Sequence, residues 1–134
     1  MNKYFIGLGL IILVVIFFIN KKYNLIDFIS YNQKINAITY SAKDVNSIEN
    51  GTYKGEYDAI YIRAKVKVVV KDKKITEIDL EEYYHDRGKG AENIVDEIIR
   101  SQKVDVDTIA GVTNSSMVIK KAVDNALFNG KKHM

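Results

Sequence analysis

Residues 62–83 read Ile-Arg-Ala-Lys-Val-Lys-Val-Val-Val-Lys-Asp-Lys-Lys-Ile-Thr-Glu-Ile-Asp-Leu-Glu-Glu-Tyr. In the first half Ile62, Ala64, Val66, Val68 and Val70 alternate with Arg63, Lys65 and Lys67. A period of two with one apolar and one basic face predicts a strand half-buried on a core. After residues 71–74, Ile78 and Leu80 alternate with Glu77, Asp79 and Glu81, which predicts a second strand with an acidic outer face. Keeping apolar residues opposite one another calls for an odd number of residues in the connecting loop, most simply three. Lys65 and Lys67 then stand near Glu77, Asp79 and Glu81. Such pairs contribute only about 0.2 to 1 kcal/mol each, so the stripe is read as setting register and solubility rather than holding a ligand.

Upstream of this hairpin, residues 51–57 (Gly-Thr-Tyr-Lys-Gly-Glu-Tyr) have the aromatic and β-branched content of another short strand bounded by turn formers. Residues 24–50 sustain neither period and are read as a spacer, partly helical. Residues 4–20 carry no charge and are nearly all Leu, Ile, Val and Phe. Seventeen such residues reach about 25 Å as a helix, the short end of what crosses a bilayer core. Lys21, Lys22 and Tyr23 stand where a signal peptide would need small residues for cleavage, so the segment is read as an uncleaved single-pass anchor. Lys3 on one flank and Lys21 and Lys22 on the other leave orientation weakly encoded.

Downstream, Ala91, Ile94, Val95, Ile98 and Ile99 recur at the spacing of one helical face. Residues 104–108 alternate briefly and suggest a short strand. A second helix is predicted from Val118, Ile119, Ala122, Val123, Ala126 and Leu127, stopping at Gly130. The order β, β, β, α, short β, α is that of an α+β domain: a small antiparallel sheet with two helices packed on one face, preceded by a single N-terminal transmembrane helix. The expected organisation is an anchor over 1–23, a spacer over 24–50, a folded domain over 51–130 and a tail over 131–134.

Composition narrows the chemistry. The chain has no cysteine, which excludes disulfides, thiolate metal sites, iron–sulfur clusters and a catalytic thiol. Two histidines, His85 and His133, are too few for a histidine-rich metal site. From Gly51 onward fifteen Lys and Arg face fourteen Asp and Glu, with the signs interleaved, which is no nucleic-acid footprint. No catalytic residue and no metal ligand is assigned; redox chemistry would require an organic cofactor.

Between the short strand and the last helix lies Asp107-Thr108-Ile109-Ala110-Gly111-Val112-Thr113-Asn114-Ser115-Ser116. Free amides and the positive end of a helix dipole suit a phosphate there, and Gly111 permits close backbone approach. Ser and Thr at a helix start are nevertheless more often plain N-caps, so by itself this loop is a weak signal.

The loop resembles the pattern Asp-x-x-Ser/Thr-Gly-Ala-Ser/Thr-x-Thr of the FMN-binding domain family, found in subunits of sodium-translocating NADH:quinone reductase and the related Rnf electron-transport complexes. Asp107, Gly111, Thr113 and Ser115 fall at the matching positions, with Ala110, Val112 and Ser115 as departures. Softer matches are Gly51 to Gly55 for Gly-Thr-Tyr-x-Gly, and His85 followed by Gly88-Lys89-Gly90. A further departure puts Lys73 or Lys74 where the family's hairpin has Gly, which should strain that turn. The resemblance covers residues 51 to about 128.

It implies FMN bound through Asp107, Gly111, Val112, Thr113, Asn114, Ser115 and Ser116, with His85 approaching the ring or its phosphate alongside Asp86, Arg87 and Lys89. Thr113, Asn114 and Ser115 would hold the phosphate and Asp107 would brace the loop. A phosphoester at Ser115, made by a separate flavin transferase, stays open. Tyr83 and Tyr84 could stack on flavin but are expected to pack on the sheet. The implied function is a membrane-anchored electron carrier rather than a stand-alone enzyme. Its domain would lie on the extracytoplasmic side, supplied by a membrane redox complex or a quinone-linked donor. Two alternatives remain: an anchored interaction domain without flavin, and a flavin reductase acting on a small substrate, although no dinucleotide fingerprint for NADH is present.

Overall fold

The computed structural model describes residues 3–85, 87–130 and, as backbone, 132–133. Residues 1–2 of the expected anchor, Asp86, and residues 131 and 134 of the expected tail lie outside the described residues. Helix α1 (Lys3–Tyr23) is long and apolar enough to cross a membrane, and none of its residues is buried. Asn24, in the left-handed region at φ 47°, separates it from α2 (Leu25–Asn36). Strands β1 (Gly51–Asp58), β2 (Arg63–Lys71) and β3 (Lys74–Tyr84) form an antiparallel sheet, joined at its β1 edge by the two-residue β4 (Lys132–His133) in the order β3-β2-β1-β4. Helices α3 (Ile94–Ser101) and α4 (Thr113–Asp124) pack on it, α4 continuing as a wider π-helical turn to Asn129. The fold is α+β.

The alternation in β2 decides which face is covered: Ala64, Val66, Val68 and Val70 are fully buried beneath α4, in one core with Val118, Ile119, Ala122 and Val123 of α4 and Ile94 and Ile98 of α3. Gly55 permits close contact between α4 and β1, since a Cβ there would collide with Ala126 N and Ala122 O. On the opposite face Lys54–Glu81 (2.8 Å), Lys65–Glu82 (3.0 Å) and Lys67–Asp79 (3.1 Å) form the expected charge stripe, to which Lys54 and Glu82 are additions, and Glu77 and Glu81 also act on Lys67.

The hairpin departs from the three-residue expectation. Lys71 pairs with Lys74, leaving a two-residue loop of Asp72 and Lys73 at φ 51° and 59°. That even loop would put apolar side chains opposite polar ones, but the register shifts between Val69 and Val70, with Thr76 as the extra residue. Val68 and Ile78 therefore still face each other, and Thr76 Oγ1 donates to Val69 O at 3.3 Å. The short strand expected over 104–108 does not form. Those residues are an irregular segment, because the backbone of Ile75 on the β3 edge is paired instead with the Gln102 side chain: Ile75 N donates to Oε1 (2.7 Å) and Nε2 donates to Ile75 O (2.8 Å).

Residues 24–50 are substantially ordered. Besides α2 and a 3-10 turn at Val45–Ser47, they place Ile35, Ile38, Val45 and Ile48 in the domain core. Asp124, almost fully buried, accepts from Ser41 N (2.7 Å) and Lys121 Nζ (2.8 Å), while Lys121 also donates to Thr39 O (2.7 Å), clamping residues 39–41 to α4.

Candidate functional site

Helix α4 starts without a side-chain cap. Val112 occupies the cap position, and the first backbone bond of the helix runs from Ser116 N to Val112 O (2.9 Å). The amides of Thr113, Asn114 and Ser115 precede that bond and have no intrahelical acceptor. The preceding turn depends on Gly111 at φ 83°, and its closing bond is donated by Val112 N to Ile109 O (3.1 Å). Ser116 Oγ, fully buried, accepts from Ile109 N (3.1 Å) and ties the loop to the helix.

This helix start opens on a cavity of about 800 Å³, within the size range of small-molecule sites. Gly111 to Ser115 form one side of its lining, joined by His85, Arg87 and Gly88 from the turn after β3, Tyr61 and Ile62 before β2, Tyr84 of β3, and Phe28 and Tyr31 of α2. The turn after β3 is tied inward: Gly88 N donates to His85 Nδ1 (3.0 Å), and Tyr83 Oη donates to Gly88 O (2.8 Å). Tyr83 and His85 rings lie 4.5 Å apart. Ser115 is 4 % exposed, and its Oγ lies beside Tyr83 Oη in the space next to Gly88. Burial pushes the Tyr83 phenol up, the Ser115 hydroxyl partly offsets this, and Glu92 adds to the rise. Gly88 makes room for the whole arrangement, since a Cβ there would collide with Ser115 Oγ and Tyr83 Oη.

Of the residues singled out in the sequence, Gly111, Val112, Thr113, Asn114, Ser115 and His85 line the one cavity. Ser116 stands behind it as a brace. Asp107 is exposed and outside the lining, and the loop tie that the structure contains is made by Ser116. Phe28, Tyr31, Tyr61, Ile62, Tyr84, Arg87 and Gly88 complete the lining. Tyr31 is not among the residues expected from the sequence; its only signal there is the spacing Tyr31, Ile35, Ile38, one helical stripe within an otherwise irregular segment.

A family model for the FMN-binding domain matches residues 61–128. No curated protein and no solved structure matches the chain. The site fits the family's cofactor on its own terms: three unpaired amides at a helix N-terminus suit a phosphate, and the aromatic side chains around the cavity suit a flat ring system.

Proposed function

The chain belongs to the FMN-binding domain family, and from that premise we propose that it is an electron-transfer flavoprotein held at the cell membrane by α1, with its domain on the extracytoplasmic side. The observation that carries this reading is the uncapped start of α4 opening on the aromatic-lined cavity. The amides of 113–115 and the Thr113 hydroxyl hold the phosphate end, with Arg87 supplying positive charge at the cavity wall. Tyr61, Ile62, Tyr84 and Val112, which line the same cavity, would contact the ring. Bound FMN supplies the redox chemistry, taking up and passing on one or two electrons. The anchor keeps the domain beside a membrane redox complex or quinone-linked donor.

We infer that the flavin is retained without a covalent bond. Ser115 is a buried residue whose hydroxyl stands beside that of Tyr83, so a phosphoester there requires that contact to open. The test is full-length protein expressed with FMN and a flavin transferase, then desalted and weighed intact. Retained flavin absorbance with an unmodified mass is the expected result. An added FMN-phosphoester mass that a Ser115→Ala control loses would sink the noncovalent reading. Colourless protein that ignores added FMN would sink flavin binding itself and favour an interaction domain, and direct NADH oxidation would favour a reductase.

A further inference from the structure

Half of the aromatic side chains that line the cavity do not come from the family-matched segment. They are Phe28 and Tyr31, carried by α2, which follows the anchor after the single residue Asn24. Tyr31 is fixed from two sides. Its hydroxyl accepts from Asn114 Nδ2 (2.9 Å), within the first turn of α4, and its ring lies 5.3 Å from that of Tyr61 at 57°. α2 is also attached to the domain independently of these contacts. Ile35 is buried in the core, Tyr57 Oη donates to Lys34 O (2.8 Å) and Lys34 Nζ donates to Asp58 O (2.9 Å). One turn before Tyr31, Phe28 remains 53 % exposed at the cavity wall. A large apolar ring held open beside an uncapped helix start is surface that a planar aromatic ligand would cover.

We propose that α2 is part of the cofactor site: Phe28 and Tyr31 supply an aromatic wall for the flavin ring, and Asn114 links that wall to the phosphate-binding helix start. This rests on the FMN reading above and extends it to residues outside the family domain. It also makes cofactor binding and the seating of α2 a linked equilibrium, since whatever binds the assembled cavity stabilises α2 on the domain. The segment next to the membrane and the flavin site are thus one unit.

The test uses the full chain in detergent micelles with FMN as the probe, titrated by quenching of flavin fluorescence, together with amide hydrogen exchange of the wild type. Phe28→Ala and Tyr31→Ala should each weaken FMN binding about three- to tenfold and leave the bound flavin brighter. Tyr31→Phe, which keeps the ring and loses the Asn114 bond, should cost less than Tyr31→Ala. Ile29→Ala, which is exposed and does not line the cavity, should bind as wild type. FMN should slow exchange of the amides of 28–33, a readout that requires no substitution. Wild-type binding with unchanged affinity in both alanine variants and unchanged exchange in α2 overturns this proposal and leaves the flavin reading standing. A wild type that binds no FMN overturns the flavin reading from which it starts.

Discussion

Gly88 sets how closely the turn after β3 can approach α4, because the Ser115 hydroxyl and the Tyr83 phenol occupy the space a Cβ would need. Gly88→Ala should therefore push the turn outward, breaking the Tyr83–Ser115 and Tyr83–Gly88 contacts. Expected costs are about 1 to 3 kcal/mol of stability and at least a tenfold weakening of FMN binding, read from urea melts and FMN titration of the same protein. Wild-type values in both would show that the turn is not held where the structure places it. The family pattern puts the hydroxyls of Thr113 and Ser115 at the phosphate, with Ser116 next to them in the site. A helix turns about 100° per residue, so Thr113 is exposed at the cavity, Ser115 faces Tyr83 and Ser116 faces back to Ile109. Which hydroxyl meets the ligand is a matter of angular phase that spacing alone suggests only once the first helical residue is known.

At the level of elements, the contact between residues 39–41 and α4 is built from charge as well as apolar surface. Tyr40 lies within it, with Lys120 Nζ 4.3 Å from its ring centre and its hydroxyl 3.4 Å from Met117 O. Burial raises the Tyr40 phenol far above its ordinary value, and Asp105 and Asp124 add to the rise. The folded value exceeds the unfolded one, so this contribution to stability is intact below about pH 10 and is lost as pH climbs above it. Tyr40→Phe keeps the ring over Lys120 and removes the titrating group. It should leave stability near pH 7 within about 1 kcal/mol of wild type and flatten the alkaline decline, measured by urea melts across that range. Tyr57 and Tyr83 are also raised, so part of the decline should remain; an unaltered decline would refute the assignment to Tyr40. The hairpin shows a second element-scale effect. Parity of the apolar pattern correctly demanded one residue more than a two-residue loop provides. The chain places that residue inside β3 at Thr76, and holds Asp72 and Lys73 at left-handed angles that glycine would adopt with less strain.

For the whole molecule, the core reaches well upstream of the family-matched segment. Ile35, Ile38, Val45 and Ile48 are each at most 9 % exposed, and burying a side chain of this kind is worth about 1.5 to 3 kcal/mol. Four of them together approach the entire stability of a typical domain, about 5 to 15 kcal/mol. A chain beginning at residue 51 should therefore fail to fold cooperatively, whereas one beginning at residue 25 should fold and, without α1, be soluble. Circular dichroism melts of the two would decide this; a cooperative transition in the shorter chain would mean that residues 24–50 merely coat a self-sufficient domain.

The sequence by itself determined the three long strands, both packed helices, the apolar N-terminal helix and the glycine loop at the start of α4. Each of these rests on a local period or on a turn residue whose backbone preference acts within a few positions. Tertiary structure decided the rest. Residues 104–108 carry a strand's alternation but form none, because a strand exists only where a neighbour offers free backbone, and Gln102 already occupies that of Ile75. Phe28 and Tyr31 join the cavity because Ile35 and Lys34 dock α2 on the domain. The site is assembled from segments far apart in the chain, and only the burial of a shared core brings them to one place.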